Sequence, residues 1–260
     1  MKRFLTFVIL AIIFTSCIPN KDLIYFQGET SENQKLQKLQ NEPYKLQVHD
    51  MLDIQIKSAD EKLVALFQTS TGDNNNTRFT EESLYFTAYT IDRHGNIRLP
   101  YLGNINILGY TTSEVLEKIE KEFEVYFKNP EDVFVTVKLA GIRFTVLGEV
   151  GSTGVKVLYL NQVNLVEALA TAGDISITGN RAKVTVFRKN IDGTKKYEVN
   201  MLDISSFDSD NFFVQSNDII YVEPLKQKSW GTGTSGMQTI TSLIAVLSLV
   251  TTTILLINAL

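Results

Sequence analysis

From Met237 to Leu260 the chain carries no Asp, Glu, Lys, Arg or His, and Leu, Ile, Val and Ala fill most of the 24 positions. As a helix rising about 1.5 Å per residue, the segment would measure roughly 36 Å, against a bilayer hydrocarbon core of about 30 Å. A transmembrane helix over 237–260 is therefore expected. Its two sides differ. On a helical wheel Thr241, Ala245, Ser248, Thr252 and Ala259 form a narrow small-and-hydroxyl stripe, opposite Leu243, Val246, Leu247, Val250, Ile254 and Ile257. Such a stripe suits a pore wall or a packed neighbour, and the opposite face suits lipid. Several copies coming together would use both faces. The alternative is a plain tail anchor whose hydroxyls bond their own backbone.

The opposite end has the layout of an export leader. Lys2 and Arg3 precede an apolar run from Phe4 to Phe14, and Thr15 and Ser16 are small residues directly before Cys17. Phe14-Thr15-Ser16-Cys17 resembles a bacterial lipoprotein box, which implies a signal peptide over 1–16 and lipidation of Cys17. Phe14 stands where such boxes usually carry Leu. Cys17 is the only cysteine, so no intramolecular disulfide can form. With the leader's two cations removed, the formal charge goes from −4 to −6. A mildly acidic exported body gives no support for nucleic-acid binding.

Between the two ends the pattern is that of a folded α+β body. Residues 17–43 read as the lipidated N-terminus and a polar tether, ending in GETSENQKLQKLQNEP. Tyr44, Leu46 and Val48, then Leu52, Ile54 and Ile56, alternate as strands do. Residues 70–77 form a polar loop. His94-Gly95-Asn96 marks a turn between extended runs, and Pro100 and Gly103 mark a second before a run from Ile105 to Leu108. Thr111-x-x-Glu114 is a capping box for a helix with Val115, Leu116, Ile119, Phe123, Tyr126 and Phe127 on one side, stopped by Asn129-Pro130. Val133, Val135, Val137 and Leu139 alternate as a strand, and Phe144 to Val150 form another. Asn164-x-x-Glu167 caps a short helix ended by Gly173. Val184 and Val186, a turn at Asp192-Gly193, Tyr197 to Val199, and Asp218 to Val222 complete the strands.

This ordered series resembles the outer-membrane polysaccharide export lipoproteins. The residues carrying the resemblance are Asp50-Met-Leu-Asp-Ile, Ile91-Asp-Arg-His-Gly-Asn-Ile-Arg-Leu-Pro-Tyr-Leu-Gly, Gly109-Tyr-Thr and Asn129-Pro130. Val146-Leu-Gly-Glu-Val, Leu165-Val-Glu-Ala-Leu-Ala-x-Ala-Gly173 and Asn217-Asp218-Ile-Ile-Tyr-Val222 continue it. The resemblance implies an export domain over 44–140 and a soluble-ligand-binding β-grasp domain over 141–225. A flexible linker over 226–236 and the tail helix would follow. His49 before Asp50, and Asp174 after Gly173, replace glycines of the family pattern, which puts the shape of those two turns in question. The resemblance also implies a homo-oligomeric ring in the bacterial outer membrane, with its soluble domains in the periplasm. An inner-membrane polysaccharide co-polymerase and its associated kinase are the implied partners.

No catalytic constellation is legible. His49 and His94 have no spaced metal partners, and an anchoring Cys17 cannot also serve as a nucleophile. Gly231-Thr-Gly-Thr-Ser-Gly236 matches a dinucleotide fingerprint in letters only, because the acidic partner about 20 residues onward is missing. It reads instead as a flexible joint. Lys226, Lys228 and Trp230 beside it fit a membrane-interface anchor. Asp208, Asp210 and Asn211 lack the rest of a calcium loop. The expected protein is thus non-enzymatic, without cofactor or metal: a lipid-anchored oligomeric channel for capsular or extracellular polysaccharide. The alternative is a non-conducting, periplasm-facing glycan-binding lipoprotein.

Overall fold

The computed structural model describes residues 18–29, 43–58, 85–126, 133–190, 193–229 and 236–259. Expectations for the leader, Cys17, the 70–77 loop, Asn129-Pro130 and Trp230 fall outside those residues.

The first unit is built on strand β1 (Met51–Ser58). It has β2 (Tyr89–Thr90) on one side and β5 (Val133–Leu139) on the other, both antiparallel. The cross-strand pairs Leu52–Leu139, Ile54–Val137 and Ile56–Val135 lie on one face, so the period-two alternation buries one side of the sheet. Tyr44 to Val48, which alternate in the same way, do not form a regular strand. Leu46 is nonetheless buried, and its backbone bonds Tyr110 and Gly109.

A hairpin of β3 (Asn96–Leu99) and β4 (Gly103–Asn106) buries Ile97, Leu99 and Ile105. Its entry turn is fixed by Asp92, whose Oδ1 accepts from the His94 and Asn96 N–H groups at 2.8 Å each. Helix α1 (Thr112–Phe123) begins at the capping box. The Glu114 N–H donates to Thr111 Oγ1 at 3.3 Å, and the Thr111 N–H donates to the Glu114 carboxylate at 2.7 Å. Val115, Ile119 and Phe123 are its buried face. The helix ends at Phe123, short of the apolar spacing that ran through Tyr126.

The second unit is a mixed sheet. Its strands are β6 (Ile142–Gly148), β7 (Gly154–Leu158), β9 (Gly179–Asn190), β10 (Gly193–Val199) and β12 (Ile219–Pro224). They lie in the order β10-β9-β12-β6-β7, with only β12 and β6 parallel. Two short strands, β8 (Val163–Asn164) and β11 (Phe213–Val214), pair separately. Helix α2 (Leu165–Thr171) has a reciprocal capping box between Asn164 and Glu167 and buries Leu165, Ala168 and Leu169. At Gly148 only glycine fits: φ is +92°, and a Cβ would overlap the Val222 carbonyl oxygen on the parallel neighbour. The buried side chains of both units form one continuous cluster.

Two expectations are corrected by the backbone. His49 (φ +72°) and Asp174 (φ +66°) both adopt the left-handed conformation that a glycine would take, so both turns keep that shape. The larger correction concerns the tail. The α+β body is as expected, but the transmembrane helix is not present: among the described residues no helix is long and apolar enough to cross a membrane. The segment is helical, as α4 (Gly236–Ala259), after a short turn of helix α3 (Lys226–Ser229). Gln238, Asn258 and seven Ser or Thr residues between Thr239 and Thr253 cut its apolar positions into runs of five residues or fewer. A span needs about 20 predominantly apolar residues, and absence of charge alone does not supply them.

Candidate functional site

Thr241, Ala245, Ser248 and Thr252 of the predicted stripe are exposed on α4, while the side chain of Ala259 falls outside the described residues. The hydroxyls turn back on the helix itself. Ser248 donates to the Ala245 carbonyl at 2.8 Å, and Thr252 to that of Ser248 at 2.6 Å. Thr251 and Thr253 do the same toward Leu247 and Leu249. The remaining surface is apolar, with Ile244, Val246, Leu247, Leu249, Val250, Leu255 and Leu256 all exposed.

At the root of this segment both predicted interface lysines are exposed, and Lys228 Nζ lies 2.5 Å from Glu149 Oε1. Glu149 also accepts from Thr178 Oγ1 (2.5 Å) and Ser176 Oγ (3.2 Å), and the Leu225 N–H donates to the Thr178 carbonyl (2.7 Å). Lys228, then Thr178, hold the Glu149 carboxyl below its ordinary range. The helix root is thus fastened to the loop 174–178.

The other chain end reaches the same loop. Residues 18–29 are not a free tether but a strap across the second unit. Phe26 and Gln27 N–H groups donate to the Met201 and Leu202 carbonyls, and the Ile204 N–H donates back to Gln27. The Phe26 ring packs on Phe207 at 4.6 Å between centroids. Tyr25 donates to Asp174 Oδ1 at 2.5 Å, with the Arg181 guanidinium 5.1 Å above its ring. Burial, then the bond to Asp174, pushes the Tyr25 phenol up to about 12. Arg181 completes the loop by donating to the Ile175 and Ser176 carbonyls.

The two units meet through two turns of the same construction. In Gln47-Val-His-Asp50 and Gln215-Ser-Asn-Asp218 the Asp N–H bonds the Gln carbonyl at 3.2 Å, and the Gln N–H bonds the Asp Oδ2 at 2.8 Å. The residue before each Asp is left-handed, His49 at +72° and Asn217 at +66°. The turns face each other: Gln47 Nε2 donates to Gln215 Oε1 at 2.7 Å, and the Tyr44 hydroxyl lies 3.3 Å from Ser216 Oγ. Their charges are handled differently. Asp218, with no exposed surface, is gripped by Arg188 through Nε (3.0 Å) and Nη2 (2.7 Å). Asp50, also buried, receives the Tyr44 hydroxyl at 2.9 Å, and its Oδ1 has no hydrogen-bond partner among the described residues. Burial raises the Asp50 carboxyl above its ordinary range, against the bonds from Ser216, Gln47 and Tyr44, and burial raises Tyr44 as well.

This order of two units, joined where Asp50 and Asp218 open their strands, has counterparts among known proteins. A model of the family described as polysaccharide biosynthesis/export protein matches residues 38–140, and a model of the SLBB domain matches residues 142–222. The chain belongs to the polysaccharide export family. It is 27% identical over 185 residues to the "EPS I polysaccharide export outer membrane protein EpsA" of Ralstonia solanacearum, covering 70% of this chain and 48% of that protein. The protein of the same description from Ralstonia nicotianae is 27% identical over 184 residues, covering 70% and 47%. The chain spans about half the length of the curated relatives it matches.

Within this family member, sequence reasoning missed the strap and the paired turns. The strap left a signal in Leu23-Ile24-Tyr25-Phe26, a short apolar run with two aromatics between polar residues. The repeat Gln-x-(His/Asn)-Asp before an alternating apolar run was also visible, but which face each turn presents was not.

Proposed function

We propose that this chain is a non-enzymatic, lipid-anchored outer-membrane component that exports capsular or extracellular polysaccharide as a homo-oligomeric channel. The observation that carries the export reading is the back-to-back match of both family models across one continuous two-unit body. The printed descriptions of the two Ralstonia relatives support export and the outer membrane as its place. Helix α4 supports self-association: seven large apolar side chains are exposed along it, and burying them between copies removes that surface from water. Thr241, Ala245, Ser248, Thr252 and Ala259 are the proposed packing or lumen-facing side, since small residues let helices approach closely. Cys17 is the proposed lipid attachment, and Lys226, Lys228 and Trp230 are the proposed membrane-interface anchor. An inner-membrane co-polymerase with its kinase is the proposed source of the chain that moves through.

The test pairs two measurements. Deleting the gene should abolish surface polysaccharide while the glycan accumulates inside the cell. Gentle detergent extraction should give a particle several times the monomer mass, reduced to monomer when residues 237–260 are removed. A monomeric intact protein would refute the channel, and undiminished surface glycan in the deletion strain would refute export.

A further inference from the structure

Two segments far apart in sequence, the strap and the root of α4, are fastened at one place, the loop 174–178. The loop's own seat is tight. The Ser176 N–H donates to the Glu149 carbonyl and the Gly151 N–H to the Asp174 carbonyl, both at 3.0 Å. Ile175 is buried at 3% exposure, and a Cβ on Gly179 would lie 2.4 Å from its Cγ2. The loop therefore has little room to shift on one side without shifting on the other.

From the strap to the tail the contacts run without a gap. The Tyr25 hydroxyl donates to Asp174 Oδ1, the same oxygen that accepts the Ile175 N–H at 2.6 Å. The Arg181 guanidinium, against the Tyr25 ring, donates to the next two carbonyls, Ile175 at 2.8 Å and Ser176 at 3.2 Å. The Ser176 and Thr178 hydroxyls both donate to Glu149 Oε2, and the other oxygen of that carboxylate takes Lys228. The Thr178 carbonyl takes the Leu225 N–H at 2.7 Å.

We propose that loop 174–178 couples the N-terminal strap to the root of the tail helix, so that the two open and close as one unit. Tyr25 is the latch on one side, and Leu225 with Lys228 the latch on the other. Groups bonded in one network lose order together, because each opened bond frees the partner of the next. The coupling itself needs neither a lipid nor a channel. With Cys17 lipidated as proposed above, the eight peptide steps from Cys17 to Tyr25 reach at most about 29 Å. A pull on that anchor would then reach the root of α4 through the loop.

The experiment follows backbone amide hydrogen exchange in the purified full-length chain. Tyr25→Phe removes the bond to Asp174 and keeps the ring, and Lys228→Met removes the ion pair and keeps an apolar stem. Y25F should speed exchange of the Leu225 and Lys228 amides by roughly two- to fivefold, the lower range for groups in one bonded network. K228M should speed the Phe26 and Gln27 amides by the same factor, since coupling between two sites is reciprocal. Lys118→Met, which takes a lysine off the Asn106 carbonyl in the first unit (2.9 Å), should change neither set. Far-end amides that keep wild-type rates in either variant overturn the coupling. Equal speeding by K118M overturns it too, since that marks a general loosening of the fold. A Y25F chain whose own strap amides exchange at wild-type rates overturns Tyr25 as the latch. Surface glycan and particle mass are separate readouts, so failure of the channel reading leaves these outcomes unchanged.

Discussion

Replacing Asp218 by Asn removes a charge that the fold has taken entirely out of water. The carboxylate has no exposed surface and receives Arg188 Nε at 3.0 Å, Arg188 Nη2 at 2.7 Å and the Gln215 N–H at 2.8 Å. Asn offers one acceptor oxygen for these donors and leaves the Arg188 guanidinium, 7% exposed, without a counter-charge. Breaking a buried pair by removing one partner costs about 3–5 kcal/mol. At a urea dependence of roughly 2–3 kcal/mol per M, D218N should lower the unfolding midpoint by roughly 1–2 M. Arg188→Met should cost a similar amount. The double variant Arg188→Met, Asp218→Leu leaves no unpaired charge, only the Phe213 carbonyl and the Gln215 N–H, worth about 1–3 kcal/mol each if unsatisfied. Its loss should therefore fall well short of the sum of the singles. A D218N midpoint within error of wild type, or strict additivity in the cycle, would refute the pair's role.

Three further outcomes follow from named contacts. Burial raises the Asp50 carboxyl in the folded chain, so its proton binds more tightly there than in the unfolded chain. The contribution of Asp50 to stability is then greatest below about pH 4 and falls as pH rises through the folded-state value, at no more than about 1.4 kcal/mol per pH unit. Asp50→Asn removes that slope, and urea melts from pH 4 to 7 that show a constant difference from wild type would contradict it. His49→Gly relieves a left-handed residue at φ +72° and should raise stability by about 1 kcal/mol, read as a higher melting temperature. Gly148→Ala drives a methyl into the Val222 carbonyl between two paired strands and should cost more than about 3 kcal/mol, and a normal melt would show that the strand shifts freely.

What could be read ahead of the structure was local chemistry with a fixed spacing. Both capping boxes, at Thr111 and Asn164, were legible because the donor and acceptor lie three residues apart whatever surrounds them. The alternation of Leu52, Ile54 and Ile56 named a strand for the same reason. The same logic misled at Tyr44 to Val48, where Leu46 is buried by a loop-to-loop contact with Tyr110 rather than by a ladder. It also misled at the tail, where counting charges ignored how often hydroxyls interrupt the apolar run. Lys228 read as a lysine facing outward because its partner, Glu149, lies 79 residues away. Contacts of that separation leave no trace in spacing. The turn that puts Tyr101 at φ +62° was hidden too, since Pro100 and Gly103 mark a turn without saying which residue takes the positive φ.

The difference between the two like-built turns follows from what lies beside each strand. Asp218 opens β12, whose neighbour β9 supplies Arg188, so that charge is neutralised within the second unit. Asp50 opens β1 and has no ion-paired cation among the described residues; it draws on the Gln47 N–H and the Tyr44 hydroxyl, and on Ser216 from the other unit. The Asp50 carboxylate of the first turn therefore draws a donor from the second unit, while the Asp218 carboxylate of the second is bonded within its own unit. Opening the joint would break the Gln47–Gln215 and Tyr44–Ser216 contacts and strip Asp50 of its bond from Ser216 at the same moment. A joint held by packing and by a donor to a buried carboxylate resists swivelling at both.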